Sequence, residues 1–201
     1  MTGAPARTLL IATTNPGKLR EIRGMLAGAP VELVSLERFP DLPAPDEPGE
    51  TFAENARIKA LYYADRTGLT AVADDSGIEI DALGGAPGVH SAYWHGHHYP
   101  TKFAVIYQAL EAKHLETSPA RFVAHVTVAE PGRVLFEATG TVEGEIAREP
   151  RGTDGFGYDP IFFYPPYGCT LAEVDGEKKA AVSHRGRAFR QLSTWLTHLG
   201  D

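Results

Sequence analysis

The stretch LTAVADDSGIEID, residues 69–81, decides the fold. Its first part, residues 69–73, is an apolar run that predicts a short buried strand. Its last part alternates Ile78 and Ile80 with acidic residues, which is typical of a half-buried strand. The first strand is predicted to end at residues 74–77 (DDSG), which lie between the two parts. The stretch therefore predicts two strands, with two adjacent carboxylates at the end of the first.

Toward the N-terminus, strand and helix patterns alternate. The predicted elements are a strand over residues 8–13, a helix beginning near residues 17–18, a strand over residues 31–36, and a helix from residue 51 to about residue 64. The last of these helices begins at a capping box, in which Thr51 is followed three residues later by Glu54.

Toward the C-terminus, a helix is predicted around Phe103, Ile106 and Leu110. Three further strands are predicted over residues 121–129, 133–138 and 141–147, with a spacing typical of an antiparallel meander. A final helix is capped by Ser183, and its apolar face comprises Phe189, Leu192, Trp195, Leu196 and Leu199. These patterns predict an α/β fold, with helices flanking a central mixed twisted sheet, in a single domain over residues 1–201.

Composition limits the classes of function. The formal net charge is −7, whereas a nucleic-acid-binding protein normally has a basic surface. A small anionic substrate remains compatible with this charge, because a few local cations and a metal can hold it. The single cysteine, Cys169, excludes an internal disulfide and a cysteine-rich metal site. With no long apolar segment, the sequence predicts a soluble cytoplasmic protein that binds neither membrane nor nucleic acid.

The segment TTNPGK connects a predicted strand to a helix N-terminus. It comprises Thr13, Thr14, Asn15, Pro16, Gly17 and Lys18. Backbone amides at a helix N-terminus attract anions, and Lys18 adds positive charge, so the segment is a candidate phosphate site. It is not a Walker A loop, and an ordinary strand–helix turn is the alternative interpretation.

Acidic residues indicate a magnesium site. Asp74 and Asp75 lie at a predicted strand end, and carboxylates there can bind Mg²⁺ and accept a proton from water. Glu47 is the candidate second ligand, because Glu54 is already explained by the capping box. The alternatives are a polar turn for the aspartates and a solvated loop charge for Glu47.

Two later segments are candidates for binding a nucleobase. Residues 155–160 (GFGYDP) present an aromatic ring between two glycines, and a base can stack on such a ring. His184 and Arg185 follow the helix cap and form a donor pair that suits a keto oxygen. A packed turn and a solvated helix start are the alternatives. The histidines of residues 95–98 resemble a transition-metal site, but we expect surface polar residues there instead.

In this order, the segments resemble the inosine triphosphate pyrophosphatase family, also called Ham1 or RdgB-type enzymes. The matching stretches are ATTNPGKLREI, ETFAENA, ADDSGIEIDALGGAPGVHSA, GFGYDPIF and KKAAVSHRGRA, which span about residues 9–195. The resemblance implies a two-lobed protein with a nucleotide-binding cleft, usually a homodimer. It also implies Mg²⁺-dependent hydrolysis of ITP, dITP and XTP to the monophosphate and pyrophosphate.

The resemblance also implies roles for single residues. Asp75 would bind Mg²⁺ and accept the proton, Asp74 would assist it, and Lys18 would be the main cation on the phosphates. Ser76 would contact the substrate, while the nucleoside would be held by Phe156, Gly157, Tyr158, Asp159, Lys179, His184 and Arg185. Pro48 departs from the family pattern beside Glu47. Two other functions stay open: a Maf-like pyrophosphatase for modified pyrimidine nucleotides, and a non-catalytic nucleotide sensor.

Overall fold

The computed structural model describes residues 7–198, and in this range the chain forms seven β-strands and five α-helices. The strands are β1 (Arg7–Ile11), β2 (Val31–Ser35), β3 (Thr70–Ile80), β4 (Pro119–Glu130), β5 (Arg133–Ile146), β6 (Phe162–Tyr164) and β7 (Cys169–Thr170). The helices are α1 (Pro16–Met25), α2 (Phe52–Thr67), α3 (Tyr99–Glu111), α4 (Gly176–Val182) and α5 (His184–His198).

All seven strands belong to one mixed sheet, with the order β2-β1-β3-β4-β5-β6-β7. Strand β1 pairs in parallel with both β2 and β3, whereas β6 pairs antiparallel with β5 and with β7. The long connections through α1 and α2 allow the parallel pairs, because parallel neighbours require a crossover. The predicted α/β class with a mixed sheet and flanking helices is confirmed.

Two predicted breaks between strands are wrong, because both lie inside continuous strands. Residues 74–77 belong to β3, which runs unbroken from Thr70 to Ile80. Residues 139–140 belong to β5, so one long strand replaces the last two strands of the expected meander. In both places the local turn signal, polar or glycine residues, is outweighed by pairing with neighbouring strands. The short elements β6, β7 and α4 had no sequence pattern long enough to predict them.

The chain divides into two compact units. The first comprises the described residues of Met1–Asp75, His125–Thr139 and Ala188–Asp201. Its strand β1 is buried on both faces. Leu9 and Ile11 pack with the apolar side chains of α1 and α5, whereas Leu10 and Ala12 pack with those of α2. Because alternate residues of a strand point to opposite faces, β1 supports two separate layers of helices.

The second unit comprises Ser76–Ala124 and Gly140–Arg187. Its core joins Ile106 of α3 to strand residues such as Phe122 and Phe162. The predicted cap of the last helix is confirmed, since the Ser183 hydroxyl accepts from the Gly186 amide at 3.0 Å. Leu199, predicted on the apolar face of that helix, lies outside the described residues. Among residues 7–198, no helix has the length and hydrophobicity that a membrane crossing requires.

Candidate active site

Asp74 and Asp75 point to opposite faces of β3, as successive strand residues must. The Asp74 carboxylate is fully buried and lies 3.4 Å from the Lys18 ammonium of α1. The Asp75 side chain is 11% exposed and lies against α2 instead. The two carboxylates therefore have different environments, and Asp75 is the one that retains access to solvent.

The segment before α1 is organised by Asn15. Its side-chain oxygen accepts from the amides of Gly17 and Lys18 at 2.9 and 3.1 Å, which makes it the N-cap of the helix. These two amides are thus engaged within the protein. The Thr13 hydroxyl accepts from the Asn15 amide at 3.2 Å, so it belongs to the same turn.

Lys59 of α2 joins the two predicted metal ligands. Its ammonium lies 2.6 Å from a Glu47 oxygen and 2.9 Å from an Asp75 oxygen. Burial lowers the pKa of Lys59, but attraction to Asp75 and then to Glu47 outweighs it, so the pKa lies above its ordinary value. Lys59 therefore stays charged, and both carboxylates converge on one cation.

Asn55, one helical turn before Lys59, fixes the loop that carries Glu47. Its side chain exchanges two hydrogen bonds with the backbone of Gly49, at 2.8 and 3.3 Å. The same amide lies 3.4 Å from the second Asp75 oxygen. Gly49 has no room for a β-carbon beside Asn55, so the loop is held tightly against α2. Asn55 thereby ties the position of Glu47 to that of Asp75.

The Glu47–Asp75 pair fits a magnesium ion. Mg²⁺ is bound in such sites by one or two carboxylates, with waters and substrate phosphates completing the shell. The shared contact with Lys59 demonstrates that both carboxylates can approach one positive charge. Over residues 7–198, no group of three or more His, Cys, Asp or Glu side chains is arranged to hold a metal.

In the second unit, Phe156 lies among charged side chains. The Lys179 ammonium is 4.7 Å from its ring centroid, and the Arg185 guanidinium carbon is 5.6 Å from it. Asp159, which is buried, accepts from Lys179 at 2.5 Å and from the Phe156 amide at 2.8 Å. The hydrogen bond from its backbone amide to Asp159 thus fixes Phe156, and two cations lie near its half-buried ring. This arrangement suits stacking on an electron-rich or anionic ligand.

His184 and Arg185 lie in the first turn of α5, as predicted, and both are buried. The His184 ring stacks on Phe122 with centroids 4.7 Å apart. An Arg185 nitrogen donates to the Ser76 hydroxyl at 2.7 Å. Lys179, Asp159, Phe156, Arg185 and Ser76 thus form one connected group, which we call the base cluster.

Gly157 and Tyr158 contribute differently from the other predicted substrate residues. Tyr158 is 4% exposed, and its hydroxyl donates to the Ser91 carbonyl at 2.9 Å. Burial raises the pKa of Tyr158 well above its ordinary value. Gly157 has a φ of 70°, a conformation that favours glycine, and it lies beside Tyr99. The Tyr158 side chain is therefore part of the core.

Sequence reasoning missed Asn55 and Lys59. They are four residues apart in α2, and residues at this spacing share one side of a helix. Each directly precedes a buried alanine, Ala56 or Ala60, and polar residues in such positions are the signal that could have identified them. Their partners are distant in sequence, so the roles themselves required the fold.

Comparisons with known proteins identify the family of this chain. The profile of the Ham1 family matches residues 9–195. A protein from Geobacter sulfurreducens named dITP/XTP pyrophosphatase is 47% identical over 194 residues, which cover 96% of each chain. One of the same name from Thermus thermophilus is 47% identical over 186 residues, covering 92% of this chain and 89% of the relative.

Solved structures give the same result. A HAM1 protein from Coxiella burnetii is 42% identical, with a TM-score of 0.87, and the match covers 96% of this chain and 99% of the other. The Ham1 protein of Staphylococcus aureus is 33% identical, with a TM-score of 0.83 and the same coverage. Sequence and fold thus agree over almost the whole length, and this chain belongs to the Ham1 family.

Proposed function

We propose that this protein hydrolyses noncanonical purine nucleoside triphosphates, namely ITP, dITP and XTP, to the monophosphate and pyrophosphate. The observation that carries the proposal is the convergence of Glu47 and Asp75 on a single cation, with a second lysine, Lys18, beside the adjacent Asp74. Three carboxylates and two lysines are suited to a metal-bound polyphosphate. The names of the relatives, dITP/XTP pyrophosphatase, support the substrate class.

Glu47 and Asp75 would hold Mg²⁺, which when bound neutralises phosphate charge and polarises the bond that breaks. Asp75 would accept the proton of a water that attacks the α-phosphorus, while the α–β oxygen bridge breaks and pyrophosphate leaves. Asp75 suits this role better than Asp74, because the Asp74 carboxylate is fully buried beside Lys18. Lys18 and Lys59 would stabilise the charge that develops on the phosphates.

The base cluster would bind the nucleoside. Phe156 would stack on the base, and His184 and Arg185 would donate toward a six-keto oxygen, as in hypoxanthine and xanthine. The amino group of adenine would leave such a donor unpaired, which costs about 1–3 kcal/mol for each buried group. Asp159 and Lys179 would hold the Phe156 segment, as their contacts indicate.

The direct test is product analysis. Purified protein with Mg²⁺ is incubated separately with ITP, XTP, dITP, ATP and GTP, and products are separated by ion exchange. Monophosphate and pyrophosphate from the first three, with ATP and GTP largely spared, is the expected result. Turnover of methylated uridine triphosphate in place of ITP would favour a pyrimidine-directed enzyme, and tight ITP binding without turnover would indicate a sensor.

A homodimeric state and a cytoplasmic location complete the proposal, together with the absence of nucleic-acid binding. The support for the dimer is the family resemblance. The acidic balance of the sequence supports the absence of nucleic-acid binding, and the single cysteine, which suits a reducing compartment, supports the cytoplasmic location. Light scattering on the purified protein would measure the mass directly. A monomeric mass with full ITP turnover would separate the dimer proposal from the enzymatic one.

A further inference from the structure

Lys102 of α3 is a fully buried lysine outside the proposed catalytic residues. Its ammonium donates to the carbonyls of Ser91 and Ala92 at 2.9 and 2.8 Å. It also lies 4.4 Å from the ring centroid of Tyr99 and 5.6 Å from that of Tyr158. Burial lowers the pKa of Lys102. Burying this group is unfavourable, so its carbonyl contacts must be well formed to keep it there.

Ser91 is a junction between separate segments of the second unit. Its hydroxyl accepts from the Ile78 amide at 3.0 Å and donates to the Gly88 carbonyl at 2.6 Å. A β-carbon on Gly77 would collide with this hydroxyl, so β3 and Ser91 are in close contact. The position of the Ser91 backbone is thus coupled to the end of the DDSG motif, next to Ser76.

Tyr158 shares the carbonyl that Lys102 uses. Its hydroxyl donates to Ser91 at 2.9 Å, so one oxygen accepts from both side chains. Tyr158 precedes Asp159 directly and follows Phe156 by two residues, so its ring anchors the segment that carries the stacking surface. The Tyr99 ring packs edge-on against Tyr158, with centroids 5.3 Å apart.

We propose that Lys102 is a positioning residue for nucleobase recognition: by fixing the Ser91 and Ala92 carbonyls, it sets the placement of Tyr158 and hence of the base cluster. The inference rests on the proposed function, since it assumes that the base cluster binds the nucleobase. Lys102 does not itself belong to that cluster. Its loss should therefore impair recognition of the base more than the chemical step.

The first test is Lys102→Met, which keeps the length of the side chain and removes its donors. We expect KM for ITP to rise about tenfold and the preference for ITP over ATP to fall, with kcat changed less than threefold. Tyr107→Phe is the matched control. Tyr107 also lies in α3 and donates to a backbone carbonyl, that of Ala147 at 3.0 Å, which is not one of the two carbonyls that Lys102 contacts. It should alter thermal stability without altering KM.

A double-mutant cycle with Tyr158→Phe tests the shared carbonyl. If both side chains act through Ser91, the double variant should be little worse in KM than the more affected single variant. Additive effects would overturn action through Ser91. A Lys102→Met enzyme with wild-type KM and selectivity would overturn the positioning role, even if its Tm falls. If that variant does not fold, Lys102→Gln is held to the same criteria.

The wild-type assay separates the two levels of failure. Absence of ITP hydrolysis by the wild-type protein would overturn the proposed function, and this inference with it. Active wild-type enzyme with unchanged KM and selectivity in both Lys102 variants would overturn this inference alone.

Discussion

The Lys59 ammonium lies 2.9 Å from an Asp75 oxygen and 2.6 Å from a Glu47 oxygen. It therefore compensates the same two carboxylates that would hold Mg²⁺. Because Mg²⁺ and the ammonium carry charge of the same sign, metal binding should weaken the hold of these carboxylates on Lys59. The lysine would then be available to the phosphates of a bound nucleotide.

Lys59→Met should destabilise the metal-free protein and increase its response to metal. Without the ammonium, two partly buried carboxylates lie close together, which we expect to cost about 1–3 kcal/mol. In EDTA, Tm should fall by roughly 2–4 °C per kcal/mol lost. Added Mg²⁺ should then raise the Tm of the variant more than that of the wild type. Scanning calorimetry measures both effects, with exposed Lys178→Met as control. Equal Mg²⁺ responses would contradict the shared role.

Asp75→Asn should remove most of the catalysis. A lost general base reduces rates by about 10²–10⁴-fold, so we expect kcat for ITP to fall within that range. Asp74→Asn should act mainly through its Lys18 contact, with a smaller loss of kcat. Pyrophosphate release under steady-state conditions measures both variants, and exposed Asp41→Asn is the control. A larger loss in the Asp74 variant would assign the base to Asp74 instead.

The sequence was informative where hydrophobic periodicity was long. Helices α1, α2, α3 and α5 and strands β1 and β2 lie within a few residues of their predicted positions. It was misleading at residues 74–77, since two aspartates and a glycine favour a turn when taken locally. In the fold, Asp74 contacts Lys18 on one side of β3 and Asp75 contacts Lys59 on the other. Both carboxylates are thus paired while the backbone remains in the strand. Both partners lie on helices, and no local pattern around the aspartates identifies them.

Some predicted site residues meet in the fold, whereas another has its side chain in the core. Glu47 and Asp75, predicted as metal ligands, meet at one cation, and Phe156 lies beside Lys179 and Arg185. The motifs therefore correctly identified residues that are far apart in the chain but meet in the fold. Tyr158 was predicted to contact substrate, but its side chain is buried among aromatic rings. Sequence identified the segment, whereas only packing distinguishes the side chains within it.

Phe156→Leu should weaken nucleotide binding with little change in chemistry. Stacking of a base on an aromatic ring contributes about 1–3 kcal/mol, so KM for ITP should rise about tenfold or more. Phe156→Tyr keeps the ring and should stay within a few-fold of the wild type. KM and kcat for both variants, measured with ITP, test this. If Leu and Tyr behave alike, the ring has no stacking role.

Glu137 of β5 should make stability depend on pH in the acid range. Its carboxylate receives two hydrogen bonds from Arg57, at 2.6 and 3.0 Å, and lies 3.2 Å from His125. Burial raises the pKa of Glu137, but the hydrogen bonds from Arg57 and His125, with the charges of those groups, outweigh it. The net pKa is therefore below its ordinary value of 4.5.

Because the folded pKa is the lower one, the stabilisation is complete above about pH 4.5 and is lost as pH falls through the folded pKa. The wild type should exceed Glu137→Gln in free energy of unfolding by about 1–2 kcal/mol at pH 7, and this difference should shrink as the pH approaches 3. Urea unfolding from pH 3 to pH 7 measures it. Glu143→Gln, at a 70% exposed position on the same strand, is the control. Parallel pH curves for the wild type and Glu137→Gln would show that the Arg57 contact does not hold the carboxylate ionised.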